Sequence, residues 1–262
     1  MRNTKYDFFL KRLLIGVNKV TTTNDILSSK IKKEILQEKD FENNIEKILF
    51  GLESLDYIKK HRHDQEFKNK IKQELHYPND KTVVTLGSYA KSIQQHNIFI
   101  EAISKLDSDY IKQIHFVFPM TYGDISYREK YSKKIYLLSK TKGFSYSILS
   151  KYLYGDDNSK IKLASDIFVN ALKTDTFSGT MQEFMYSGNL TILPCWLIYP
   201  DLEKNDADIF TYNDSIDLAI KIKYCVDNLM ELQKQALCMN EFIYKVSSWE
   251  YCINNWIRIL ND

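Results

Sequence analysis

Two carboxylates, Asp175 and Glu183, stand on either side of a segment whose residue types suit a charged ligand. The segment reads Lys173-Thr174-Asp175-Thr176-Phe177-Ser178-Gly179-Thr180-Met181-Gln182-Glu183, with seven residues between the two acids. Asp175 falls in the loop after an apolar β-type run and Glu183 about one turn into the next helix, so the pair can face one ligand from different sides. Ser178-Gly179 opens that helix, where free backbone N–H groups and the helix dipole suit a phosphate. Lys173 adds a mobile positive charge close by. Such a site would hold a diphosphate at the helix end and hydroxyl groups on the carboxylates. The plainer reading of the same residues is a helix-capping Asp175 and a surface Glu183.

Position in the chain bears on this choice. Val83-Val84-Thr85-Leu86, stopped by Gly87, and Ile114 to Phe118, stopped by Pro119, read as buried strands, as do Asp166 to Val169 and Leu190 to Leu193. Between them, helical periodicity runs over Ile98 to Leu106 and resumes near Tyr127. Strands alternating with helices predict βαβ units, hence an α/β fold with a Rossmann-like parallel sheet flanked by helices. Ligands of such sheets bind beyond the carboxyl ends of the strands. That rule selects three loops, Gly87 to Asn97, Pro119 to Asp124 and Asn170 to Gly179. No Gly-x-Gly-x-x-Gly follows a strand, which disfavours a nicotinamide or flavin cofactor.

Helical extensions flank this centre. Asn24-Asp25 caps a helix through Ile26, Ile31 and Ile35; a short strand runs from Ile45 to Phe50; a charged helix starts near Leu55 and closes at Pro78. From about Ser215 the chain is helical to its end, with a final helix from Ser248. The division predicted is 1–80 as connecting segment, 81–212 as ligand-binding domain and 213–262 as C-terminal helices packing back on it. Trp249 and Trp256, seven apart, read as packing residues, and His61/His63 at i,i+2 do not share a helix face.

Composition narrows the partners. Thirty-six Lys+Arg against 34 Asp+Glu leave a formal charge of +2, without the concentrated positive charge that nucleic acid requires. The four cysteines, Cys195, Cys225, Cys238 and Cys252, include no Cys-x-x-Cys pair and read as reduced thiols of a cytosolic protein. No apolar run reaches the roughly 18 residues that span a bilayer. The opening Tyr6 to Ile15 is broken by charge and reads as an amphipathic helix, at most a peripheral membrane contact.

The segments Ala164-Ser165-Asp166-Ile167-Phe168-Val169 and Glu183-Phe184-Met185-Tyr186-Ser187-Gly188, with the Asp175/Glu183 pair between them, resemble family-4 glycosyltransferases. That family's pattern is an acidic residue, Phe-Gly, a second Glu, then Met and a small-residue-Gly ending. Asn18 to Thr23 and Lys47 to Leu52 are similar to strands around the family's interdomain connection, and Val84 to Ser88 to the opening of its donor domain. Phe118 to Asp124 additionally resembles lipid-linked aminofucose transferases of envelope polysaccharide pathways. The resemblance implies the C-terminal, donor-binding half of a GT-B fold, with a separate segment or chain supplying the acceptor domain.

By the same resemblance Glu183 would bind ribose hydroxyls, Asp175 the donor sugar, and the N–H groups of Ser178 and Gly179 the diphosphate. Gly87, Ser88, Tyr122 and Gly123 would border the donor. Ser88 stands where the family has Arg and Gln95 at or near its Lys, so Lys91 and Lys173 are the candidates to supply the charge. His96 is either a loop residue near the donor or a polar group at a helix start, and Tyr122 either touches the donor or packs. The implied activity is transfer of a sugar, with retention, from a nucleotide-diphosphate sugar to a glycan or lipid-linked acceptor, in bacterial cell-surface polysaccharide synthesis. Helix N–H groups and a lysine can stabilise a departing diphosphate, so no metal or cofactor is expected. The alternatives are a non-catalytic nucleotide-sugar-binding subunit and a GT-B-like sugar-nucleotide epimerase.

Overall fold

The computed structural model describes residues 19–36 and 45–261. The segment Tyr6 to Ile15, read above as an amphipathic helix, lies outside the described residues. The chain falls into two compact units, Met1–Gly51 with Lys245–Asp262, and Leu52–Tyr244.

In the smaller unit, β1 (Val20–Thr22) pairs in parallel with β2 (Ile45–Lys47), Val20 opposite Ile45. The Asn24 side chain accepts from Leu27 N at 2.7 Å and caps α1 (Asp25–Lys30), which continues as a π-helical turn over Ile31–Leu36. The strand expected to reach Phe50 ends at Lys47. Its last rung is Ile48 N–H to Thr22 O at 2.8 Å, beyond which β1 offers no partner.

The larger unit begins with α2 (Ser54–His61) and α3 (Gln65–Glu74), a pair of helices where one was expected. The break is made by Asp64, whose side chain accepts from Phe67 N at 2.9 Å and starts a new helix. There follow β3 (Thr82–Leu86), α4 (His96–Lys105), α5 (Ser108–Gln113), β4 (Ile114–Pro119), α6 (Ile125–Lys142), β5 (Ser145–Leu149) and α7 (Gly155–Ala164). Next come β6 (Ile167–Val169), α8 (Gly179–Tyr186), β7 (Leu190–Pro194), α9 (Pro200–Lys204), β8 (Ile209–Tyr212), α10 (Ser215–Asp227), α11 (Leu229–Met239) and α12 (Phe242–Ser247). The last helix, α13 (Trp249–Asn261), belongs to the smaller unit. There Trp256 Nε1 donates to Leu49 O at 2.9 Å, and the Trp249 ring fills the space over Gly51.

Six parallel strands form one sheet in the order β5-β4-β3-β6-β7-β8. The four strands expected from sequence are its centre, and the expected Rossmann-like α/β sheet is what forms. Alternate residues Val84, Leu86, Phe116, Phe118, Ile167, Val169 and Ile192 join one core with Phe99 and Ile103 of α4, Ile135 of α6 and Ile222 of α10. Each such side chain contributes about 1.5–3 kcal/mol by burial. Residues offset by one face the other side, where Phe168 stacks on Phe184 of α8 with ring centroids 4.2 Å apart. Both faces are thus covered.

The two edge strands, β5 and β8, escaped the sequence reading. Ser145 and Ser147 interrupt the apolar pattern of β5, and their hydroxyls are where the two ring nitrogens of buried His115 find partners, at 3.1 and 3.0 Å. Burial pushes the His115 imidazole down to about 4, with Lys81 and Lys72 adding to the effect. At the amino end of β6, Asp166 accepts from Val83 N at 2.8 Å and Lys72 Nζ at 2.9 Å, anchoring α3 to the sheet.

Candidate functional site

The three loops selected from sequence all lie at the carboxyl edge of the sheet, and backbone bonds lace them together. Ala90 N donates to Tyr122 O and Asp124 N to Ala90 O, both at 2.8 Å, joining the loops after β3 and β4. Gly123 is required at this crossing: its φ is +117°, and a Cβ there would lie 2.2 Å from Ala90 O. Lys173 N donates to Ile93 O at 3.0 Å and Gln95 Nε2 to Ala171 O at 2.7 Å, joining the loops after β3 and β6.

A cavity of about 180 Å³ opens at this edge. Gly87, Ser88, Tyr122 and Thr180 line it on the side foreseen from sequence. Gly87 takes φ +75°, turning the chain so that Ser88 Oγ meets Gln94 Nε2 at 2.9 Å. Ser178 accepts from Met181 N as the N-cap of α8, and Gly179 begins that helix with Leu52 Cδ2 only 2.9 Å from where a Cβ would stand.

Asp175 and Glu183 occupy different surroundings. Asp175 accepts from Thr176 N at 2.9 Å, Ser178 N at 3.0 Å and the Tyr199 hydroxyl at 2.7 Å, so it shapes the loop that leads into α8. The Tyr199 hydroxyl is held well above its usual range, first by burial and then by the Asp175 charge. Glu183 is almost buried and sits in an ion pair: Oε2 is 3.0 Å from Lys162 Nζ, and Oε1 accepts from Ser54 Oγ of α2. Burial lowers the Lys162 ammonium, while the Glu183 charge opposes the shift.

The other candidates are dispersed. Lys91 and Lys173 are exposed and do not line the cavity. His96 is fully buried at the start of α4, 3.2 Å from the Tyr127 hydroxyl and edge-on to Phe99; burial pushes its imidazole down to about 4. It therefore packs as a neutral ring rather than presenting charge to a ligand.

Sequence reasoning missed one side of the cavity altogether. Tyr152 and Leu153, in the loop after the unforeseen β5, and Asn158, Ile161 and Lys162, on α7, line that side. Tyr152 continues an aromatic shelf that begins with Tyr89 stacked on Tyr122 at 5.0 Å and ends with Tyr154. A helix with Lys at 162 between Ile161 and Leu163 carried the signal, because a lysine flanked by apolar residues just before a buried strand has a carboxylate to find.

The sequence holds two Asp-x-Asp pairs, Asp107-Ser108-Asp109 and Asp206-Ala207-Asp208, which the expectation of metal-free chemistry left out of account. They lie in segments leading toward the amino ends of β4 and β8, the edge opposite the cavity. Asp107 pairs there with Lys223. Among the described residues no group of three His, Cys, Asp or Glu side chains is placed to hold a metal ion. The four cysteines are unbridged. No helix among the described residues is long and apolar enough to cross a membrane.

No family model and no curated protein matches the sequence. Solved structures do match it in fold. The glycosyltransferase from Rickettsia africae ESF-5 superposes with a TM-score of 0.76 at 20% identity, over 99% of this chain and 66% of that one. Anabaena Alr3699/HepE in complex with UDP and glucose gives 0.79 at 14% identity, over 100% and 68%. Sucrose-phosphate synthase from Thermosynechococcus elongatus gives 0.73 at 10%, over 100% and 62%. The chain spans about two thirds of the length of these proteins and has the fold of the C-terminal half of GT-B glycosyltransferases.

Proposed function

We propose that this chain binds a nucleotide-diphosphate sugar and acts in a glycosyltransferase that passes the sugar, with retention, to a glycan or lipid-linked acceptor. The observation that supports it most is the cavity at the carboxyl edge of the sheet, lined by Thr180 at the start of α8 and by Lys162, whose partner Glu183 lies outside the lining. The Ser178 N–H, expected to meet the diphosphate, is taken by Asp175 and the Met181 N–H by the Ser178 side chain. The α8 terminus would therefore serve a diphosphate through the N–H groups of Gly179 and Thr180, and Glu183 with its neighbours suits hydroxyl groups. That Alr3699/HepE carries UDP and glucose on a similar fold supports the same ligand class. Bacterial cell-surface polysaccharide is the acceptor pathway that the residues from Phe118 to Asp124 favour.

For catalysis by this chain, Asp175 would contact the donor sugar and Lys173 the departing diphosphate. The observed engagement of Asp175 by three donors, and the exposure of Lys173, favour a second reading in which the chain binds the donor and a separate acceptor domain or chain completes the transfer site. No metal is assigned a role in either reading.

A thermal-shift series with UDP, GDP, dTDP and their sugars, repeated on Glu183→Ala, tests donor binding. Stabilisation of the wild type that the variant loses is expected, and the absence of any nucleotide response by the wild type removes the proposal. A transfer assay with and without an added acceptor-domain protein separates the two catalytic readings.

A further inference from the structure

Helix α6 concentrates charge that the rest of the molecule lacks. Arg128, Lys130, Lys133, Lys134, Lys140 and Lys142 stand against one carboxylate, Glu129, so the helix alone carries a formal +5 where the whole chain carries +2. The residues outside it are together net negative. Burial of Tyr131 and Ile135 fixes the inner side of the helix. On the opposite side Lys130, Lys133, Leu137 and Lys140 follow one another at steps of three and four residues and share one outward face, flanked by Tyr136. All five are exposed, Tyr136 by 48% and Leu137 by 53%.

The protein does not neutralise this face itself. Lys134 donates to the Asn97 side-chain oxygen at 3.0 Å and Lys142 to Leu106 O at 3.4 Å, both neutral acceptors. The Lys140 ammonium lies 5.3 Å from the centre of the Tyr136 ring. Among the described residues no carboxylate pairs with any of the five lysines. Helix α4, tied to α6 by the Asn97 bond, adds one exposed charge of each sign, Glu101 and Lys105. Like charges three and four residues apart weaken a helix, so a polyanion relieves the arrangement.

The two apolar side chains indicate which polyanion. A nucleic-acid phosphate backbone offers nothing to an exposed leucine held between lysines. A bilayer offers anionic headgroups to the ammonium groups and hydrocarbon to Leu137, and tyrosine favours the boundary between the two. At 1.5 Å per residue the 18-residue helix presents about 27 Å of rigid face that can lie flat on such a surface.

We propose that the outer face of α6 is a docking surface for an anionic lipid bilayer, with Lys130, Lys133 and Lys140 on the headgroups and Tyr136 and Leu137 at the hydrocarbon boundary. The inference stands apart from the donor-binding reading, since vesicle binding and nucleotide binding are separate readouts.

Co-sedimentation of the whole chain with vesicles tests it. The probes are vesicles of equal parts phosphatidylglycerol and phosphatidylcholine, vesicles of phosphatidylcholine alone, and a short DNA duplex. The wild type should bind only the anionic vesicles and should be released between about 0.1 M and 1 M salt, as the Debye length falls from about 10 Å to 3 Å. Each lysine near an anionic surface strengthens partitioning about fivefold, so Lys130→Gln/Lys133→Gln/Lys140→Gln should bind about 100-fold more weakly. Leu137→Ser should weaken binding about fivefold at constant charge. The substituted side chains are exposed, and thermal unfolding of each variant should match the wild type. A wild type that leaves the anionic vesicles unbound at low salt overturns the proposal, as does a triple variant that binds them like the wild type. Leu137→Ser binding like the wild type, or the duplex binding as tightly as the vesicles, marks a general polyanion face and overturns the lipid assignment.

Discussion

Replacing Glu183 by Gln isolates the charge of one buried carboxylate with little change of shape. The Gln keeps its oxygen as an acceptor for Lys162 and turns its NH2 to Ser54, whose hydroxyl can accept, but the ammonium, with 3% of its side chain exposed, loses its counter-charge. Removing one partner of a buried pair costs about 3–5 kcal/mol, and the retained hydrogen bonds place this case near 3 kcal/mol at pH 7. Burial already lowers the Lys162 pKa against the opposing pull of Glu183, so the variant lowers it further. The unfolded chain then binds more protons than the folded one between the depressed folded pKa and the ordinary lysine value. Stability of the variant must therefore rise with pH relative to the wild type, by at most about 1.4 kcal/mol per pH unit. Urea denaturation followed by circular dichroism at pH 7 and pH 9 reads both quantities. A deficit below about 1 kcal/mol at pH 7, or one that widens as pH rises to 9, refutes the account of Lys162 as a charge held by Glu183.

Gly123→Ala forces a Cβ to 2.2 Å from Ala90 O at a φ of +117°, and should cost about 2–3 kcal/mol of stability, read from the shift in denaturant midpoint, while weakening any nucleotide bound between the β3 and β4 loops. His96, neutral in the fold with its pKa down to about 4, contributes stability that is complete above pH 6.5 and is lost as pH falls toward 4. The loss over that window is about 3 kcal/mol, and acid melting of His96→Phe against the wild type should show it removed. Sugar transfer by the completed enzyme should proceed at an unchanged rate in excess EDTA, measured by release of nucleoside diphosphate; a marked loss counts against charge stabilisation by protein groups alone.

Much of the architecture follows from local pattern. The β-branched and aromatic runs at Val83, Ile114, Ile167 and Leu190 specify buried parallel strands because both faces of such a strand must be apolar. Ser178-Gly179 likewise marks the start of α8 through cap chemistry that depends on its own neighbours alone. The edge strands β5 and β8 were not legible, since half-exposed strands need no continuous apolar run, and the serines of β5 make sense only beside His115 of β4.

The candidate site divides in the same way. Its glycines, its loops and the Asp175/Glu183 pair could be picked out along the chain, because strand ends and helix starts are local events. Which carboxylate holds a loop and which meets a buried cation could not. Asp175 is satisfied by Tyr199, twenty-four residues on, and Glu183 by Ser54, 129 residues back, and by Lys162 on another helix. The charge of a buried group is set by what lies within a few ångströms in space, and only the packing of α2, α7 and α8 brought those partners together.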